Sequence, residues 1–131
     1  MLFGSSDNRL IGNKITRNHE PAEGGIHLFQ IPEGTSDRNQ LTGNITSAND
    51  GDGILVDAGQ QSNTITRNLS TRNGGDGIDV DSAATTISTN VATFNQDLGI
   101  EAVPGVTDQG SNVAYGNGAA AQCANVTCRP R

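Results

Sequence analysis

The sequence predicts an all-β solenoid, a coil of about four to five rungs built from three short parallel sheets. Three observations lead there: asparagines recurring on a fixed lattice, a Gly-Ile pair at the same place in each repeat, and the near absence of large aromatic anchors. With 33 % apolar residues, three Phe, one Tyr and no Trp in 131 residues, any core must be assembled from many small aliphatic contacts. Such a composition alone would permit disorder, but the periodicity argues against it.

The lattice has the form N-x-[LI]-x-x-N-x-x-x-x-N. It runs through Asn8, Asn13 and Asn18, then Asn39, Asn44 and Asn49, then Asn63, Asn68 and Asn73. A fourth copy has Thr85, Asn90 and Asn95, and a partial fifth has Asn112 and Asn117, so all of the 14 asparagines but Asn125 lie on it. Each full copy continues into Gly25-Ile26, Gly53-Ile54, Gly77-Ile78 or Gly99-Ile100. Counted from the middle asparagine, with Asn117 closing the series, the repeats are 31, 24, 22 and 27 residues long. A base period of about 22 to 24 residues, with insertions at loops, fits a solenoid.

Segments such as GILVD, GIDVD and GIEAV alternate with period two and are too short for helices, which makes each a short strand. Asparagine and glycine tolerate left-handed backbone, so they are expected at the corners between strands. Stacked asparagines can also hydrogen-bond to their copies on neighbouring rungs. No stretch sustains a 3.6-residue period, and the leucines of leucine-rich repeats are missing.

On these residues, N-x-I-x-x-N followed by G-I-x-V, the chain resembles the right-handed parallel β-helix repeat of pectate-lyase-like proteins over roughly residues 2–118. The resemblance implies the fold. It leaves function open among polysaccharide lyases, glycoside hydrolases, uronate epimerases and non-catalytic surface modules. Residues 1–118 are read as the coil and 119–131 as a C-terminal cap or tail closed by a local disulfide between Cys123 and Cys128.

The net charge of −6 and pI of about 4.6 argue against nucleic-acid and anionic-membrane partners. No apolar run could span a bilayer, and MLFGSSDN lacks the features of a signal peptide. A secreted, periplasmic or cell-surface location is nonetheless expected from the disulfide and the resemblance, with any signal outside this chain. Leu2 and Phe3 stand where Val80 stands before Thr85, so the first rung opens partway through a strand. The expectation is an open N-terminal end, covered by upstream rungs or by a second copy.

Candidate chemistry lies on the Gly-Ile strands. With Ile78 and Val80 pointing inward, Asp79 and Asp81 point out. Their copies place His27, Leu55 and Glu101 in one column and Phe29, Asp57 and Val103 in the next. Rungs stack about 4.8 Å apart, and next-but-one residues on a strand lie about 6.5 to 7 Å apart. Asp57, Asp79, Asp81 and Glu101 should therefore share a patch, with Asp52 and Asp76 flanking it. Such a patch could hold an acid and a base for glycoside cleavage, with His27 on the same sheet, or could bind Ca²⁺ through Asp76, Asp79 and Asp81. It could also be a solvated face of an acidic protein.

Several motifs weigh against a sharper reading. The paired-Asp, Gly-His-Gly and Arg-x-Lys set of polygalacturonases is missing, as is the Tyr-Gly-Phe-Asp-Pro-His run of alginate epimerases. Gly74, Gly75, Gly77 and Asp79 fit the calcium β-roll nonapeptide, but Asp81 occupies its apolar slot and no copy follows at nine residues. NDGDG lacks EF-hand spacing. Arg17 and Arg72 read as exposed corners, the loop HEPAEGG with Glu20 and Glu23 as a lateral insertion, and the sequons at Asn44, Asn68 and Asn125 as incidental. Ile45, Leu69 and Val91 form an apolar column whose facing the sequence leaves open. Two functions remain: a polysaccharide-acting segment of lyase or hydrolase type, or a non-catalytic binding or structural module.

Overall fold

The computed structural model describes residues 1–130 and contains strands but no helix among them. Three sheets run the length of a coil of about five turns, and every strand pairing is parallel. Sheet A holds the Gly-Ile strands: β1 (Leu2–Phe3), β4 (Ile26–Phe29), β7 (Ile54–Val56), β10 (Ile78–Val80) and β13 (Ile100–Ala102). Sheet B stacks β2 (Arg9–Ile11), β5 (Gln40–Thr42), β8 (Thr64–Thr66), β11 (Thr86–Ser88) and β14 (Thr107–Asp108). Sheet C stacks β3 (Lys14–Thr16), β6 (Ile45–Ser47), β9 (Leu69–Thr71), β12 (Val91–Thr93), β15 (Asn112–Tyr115) and β16 (Cys128–Arg129).

Alternation sorts the side chains as the period of two requires. Leu28, Val56, Val80 and Ala102 stack inward on sheet A, and Leu41, Ile65 and Ile87 on sheet B, all buried. Sheet C is lined instead by Thr46, Ser70, Ala92 and Ala114. Glycine backbone from sheet A comes so close here that a Cβ on Gly77 would lie 2.9 Å from the Ala92 Cβ and 2.5 Å from the Gly99 carbonyl oxygen. Only small side chains fit opposite. The two hydroxyls form a chain, Thr46 Oγ1 donating to Ser70 Oγ at 2.9 Å and Ser70 Oγ to the Gly77 carbonyl at 2.6 Å.

The corners differ from expectation in one informative way. Asparagine is not the left-handed residue: the residue before each lattice asparagine is. Asp7, Arg17, Arg38, Ala48, Ser62, Arg67, Arg72, Thr89, Phe94 and Ser111 all have φ between 54° and 63°, and Gly12, Gly43 and Gly116 supply the remaining corners. The exposed Arg17 and Arg72 are thus corner residues, and among the described residues the only left-handed asparagine is Asn125, off the lattice. Turning at the preceding residue points the asparagine amide down the coil. Asn68 Nδ2 and the Asn68 backbone N–H both donate to Asn90 Oδ1 at 3.0 Å, and Asn68 Oδ1 accepts the same pair from Asn44.

Two such ladders run without interruption, Asn13-Asn44-Asn68-Asn90-Asn112 and Asn18-Asn49-Asn73-Asn95-Asn117. Asn90 therefore stacks on Asn112, 22 residues away, which corrects the last repeat length of 27. The third ladder stops at Thr85, whose buried Oγ1 has no partner. At the far end Asp108 Oδ1 accepts from Asn112 Nδ2, and Gln122 Oε1 from Asn117 Nδ2. Beyond residue 118, Cys123 bridges to Ile100, and the Cys123–Cys128 disulfide packs against the core with Val126. At the other end β1, β2 and β3 are edge strands, and Leu2, Leu10 and Ile15 are only half-buried.

The column of Ile45, Leu69 and Val91 is resolved by the pairing. It faces outward on sheet C, continues into Val113, and leaves Ile45 exposed. Asn44 and Asn68 are buried in their ladder, so of the three sequons only Asn125 is exposed.

Candidate functional site

The outer face of sheet A carries two columns. Pairing stacks His27 on Leu55, Leu55 on Asp79 and Asp79 on Glu101. Beside them, Phe3 pairs with Phe29, and the ladder bonds from Asp57 N to Leu28 O and from Asp81 N to Val56 O carry that column on through Asp57 and Asp81. Asp57, Asp79, Asp81 and Glu101 therefore share one face.

The carboxylates that converge are Asp76, Asp79 and Glu101, with one oxygen of each within 4.8 Å of the others. Asp81 stands in the adjacent column, so the trio differs from the set Asp76, Asp79 and Asp81 expected for a metal.

Asp76 and Asp52 come from the turns before sheet A, where they serve the backbone. Asp52 Oδ1 accepts the Asp76 N–H at 2.7 Å, and Asp76 Oδ1 accepts the Leu98 N–H at 2.6 Å. The stretch GGDG is thus a stacked turn, with Gly74 N–H on the Asn49 carbonyl and Gly75 N–H on the Gly51 carbonyl.

Burial and repulsion raise two members of this trio, Asp79 and Asp76. Asp79 is pushed up to about 7 by burial first and then by the charges of Asp81, Asp52, Asp76 and Glu101. Asp76 is likewise raised to about 7, by burial and then by Asp52, Glu101 and Asp97, despite the opposing Leu98 N–H. Asp52 is raised in the same direction, again chiefly by burial, with the Asp76 N–H and His27 pulling against it. One face thus holds carboxyl groups that keep a proton near neutrality, in reach of others.

His27 behaves differently. Although its strand position faces outward, it is 5 % exposed, because the insertion loop folds over it. Its Nδ1 lies 3.0 Å from Glu23 Oε2 and its Nε2 2.8 Å from Asp57 Oδ1, and its ring packs edge-on to Phe29. Both ring nitrogens are occupied, so His27 ties the loop to the sheet. Glu23 was visible only as a loop residue; its spacing of four from His27 is the one sequence signal for the pair. Met1, Arg17, His19, Glu20, Glu23 and His27 help line a hollow of about 450 Å³ at this end, and His19 meets Asp50 at 3.2 Å.

Comparison with curated proteins and with solved structures gives no significant match. Residues 1–123 match the model of the family described as right handed beta helix region, which takes in the three ladders and all of sheet A. The chain belongs to the right-handed β-helix family.

Proposed function

We propose that the outer face of sheet A acts on polysaccharide, in the manner of a glycoside hydrolase, within a secreted protein. The observation that carries this reading is the Asp79 carboxyl, raised to about 7, with oxygens of Asp76 and Glu101 within 4.8 Å. Glycoside cleavage needs a carboxylic acid to protonate the leaving oxygen and a carboxylate to meet the developing positive charge. Asp79 is the donor and Glu101 the facing carboxylate, while Asp57 and Asp81 flank them as acceptors for sugar hydroxyls. The short Asp79–Glu101 separation suits the retaining arrangement of about 5 to 5.5 Å better than the inverting one.

A lyase is less well supported. Abstraction beside a uronate needs a cation to neutralise the carboxylate, and Arg17 and Arg72 sit at corners rather than on this face. The disulfide suits an oxidising compartment, which accords with secretion.

Reducing-sugar release from a panel of neutral and uronate polysaccharides is the test. Asp79→Asn and Glu101→Gln should each lower turnover by roughly 10² or more, with the fold intact. No turnover by the unaltered protein on any member of the panel overturns the hydrolase reading.

A second reading, a non-catalytic β-helix module, is favoured by the same convergence of Asp76, Asp79 and Glu101. Three carboxylates so placed supply oxygen ligands of the kind Ca²⁺ takes, and water or glycan hydroxyls would complete its six to eight. Under that reading Ca²⁺ raises the melting temperature, more strongly at pH 8 than at pH 6, and Glu101→Gln removes the effect.

A further inference from the structure

The chain has three Phe and one Tyr, and two of these four aromatics stand side by side on the face that carries the acidic trio. Phe3 and Phe29 are in register on adjacent strands, their ring centroids 5.5 Å apart and their planes at 75°. Phe3 is 53 % exposed, and Phe29 is half-buried with the His27 ring against it. In a protein whose core is otherwise aliphatic, an edge-to-face aromatic pair open to water leaves favourable burial unused.

The pair has a direction as well as a location. Down the second column the outward residues change from Phe3 and Phe29 to Asp57 and Asp81, and in the first column Leu55 gives way to Asp79 and Glu101. From rung spacing, Phe29 lies about 10 Å from the rung of Asp79, and Phe3 about 14 Å. That is a span of a few sugar rings. The face of an aromatic ring is electronegative and attracts the C–H groups on the apolar side of a pyranose, while carboxylates accept its hydroxyls. The strands of sheet A contain no lysine or arginine, so an anionic chain would meet repulsion without relief.

We infer that the Phe3–Phe29 pair, the edge of one ring bracing the other, forms a stacking platform for a neutral pyranose chain lying across the strands of sheet A, from the first rung towards Asp79. The platform is continuous with the acidic site and rests on the proposed polysaccharide reading for what happens at its far end. Binding itself does not require cleavage, and the two can be measured apart. Phe3 and Phe29 are positioning residues, since the bond that would break lies at Asp79.

The experiment is calorimetric titration of the full chain with neutral hexasaccharides of glucose, xylose and mannose, and with oligogalacturonate as the anionic control. Asp79→Asn serves as a background in which nothing is cleaved. The expected result is binding of at least one neutral hexasaccharide and none of oligogalacturonate. Phe3→Ala should weaken the affinity roughly tenfold without moving the melting temperature, because Phe3 is largely exposed. Phe3→Trp should restore it. Phe29→Ala should weaken it further, judged only if its circular dichroism matches the unaltered protein. Failure to bind any neutral hexasaccharide, or the same affinity in Phe3→Ala, overturns the platform. Binding that depends on Phe3, in a protein that cleaves nothing, upholds the platform while removing the hydrolase reading. Cleavage abolished by Asp79→Asn but indifferent to Phe3→Ala does the reverse.

Discussion

The asparagine corners and the acidic face of sheet A are products of the same stacking, with opposite electrostatic results. In both, like side chains are brought about 4.8 Å apart by successive rungs. An amide carries both donor and acceptor, so asparagine on asparagine satisfies itself, as in Asn44-Asn68-Asn90. A carboxylate carries only acceptors, so Asp79 on Glu101 is relieved only by a proton, a cation or a ligand hydroxyl. The first arrangement stabilises the fold and the second stays unresolved, which is why the proposed chemistry is placed on sheet A.

Breaking an asparagine ladder should have the largest effect. In Asn68→Ala the buried Asn44 N–H and Nδ2, the Leu41 carbonyl and the Asn90 Oδ1 all lose a partner. A loss on the order of 3 to 5 kcal/mol in urea unfolding is expected. A loss below about 1 kcal/mol would mean that the ladders are not what holds the corners.

Relieving the acidic face should act in the opposite direction. The folded value of Asp79 is about 7 against an ordinary 3.8, so the folded state binds the extra proton between those limits. Stability contributed by that proton is present in full below about pH 4 and is lost as pH rises through 7. Asp79→Asn should therefore melt higher than the unaltered protein at pH 8, and the gap should narrow as pH falls towards 4. A gap that is constant with pH would contradict a raised Asp79 in the folded protein.

Extending a ladder is a smaller change. Thr85 interrupts the third ladder with an unpartnered buried hydroxyl, and the preceding Ala84 does not have the left-handed φ found before each lattice asparagine. The double change Ala84→Gly with Thr85→Asn should add about 1 kcal/mol, whereas Thr85→Asn alone should gain less. The smallest effect is expected from Arg67→Gly, which relieves a non-glycine residue at φ 57° and should stabilise by roughly 0.5 kcal/mol once the greater freedom of the unfolded glycine is counted.

The coil itself was legible because one residue type repeats at each inward corner, and because Ile and Val alternate on sheet A. The residue that turns is not legible in the same way. Arg67, Ala48, Ser62 and Phe94 share a conformation but no chemistry, so composition carries no sign of it. The outward columns of the acidic face also followed from alternation. Which carboxylates converge did not, since alternation assigns each residue to a face without fixing how far its carboxylate leans towards each neighbour. The burial of His27 depends on how the loop from His19 to Gly24 folds back, a matter of loop geometry that no periodicity encodes.

The central claim is that burial on the outer face of sheet A, with the charges of neighbouring carboxylates, raises the Asp79 carboxyl to about 7. Carbon-13 NMR titration of the aspartate carboxyls, with the Asp79 signal assigned from Asp79→Asn, reads this directly. The account predicts a midpoint near 7 for Asp79, moving down in Glu101→Gln as one of the repelling charges is removed. A midpoint near the ordinary 3.8 in the unaltered protein would contradict it.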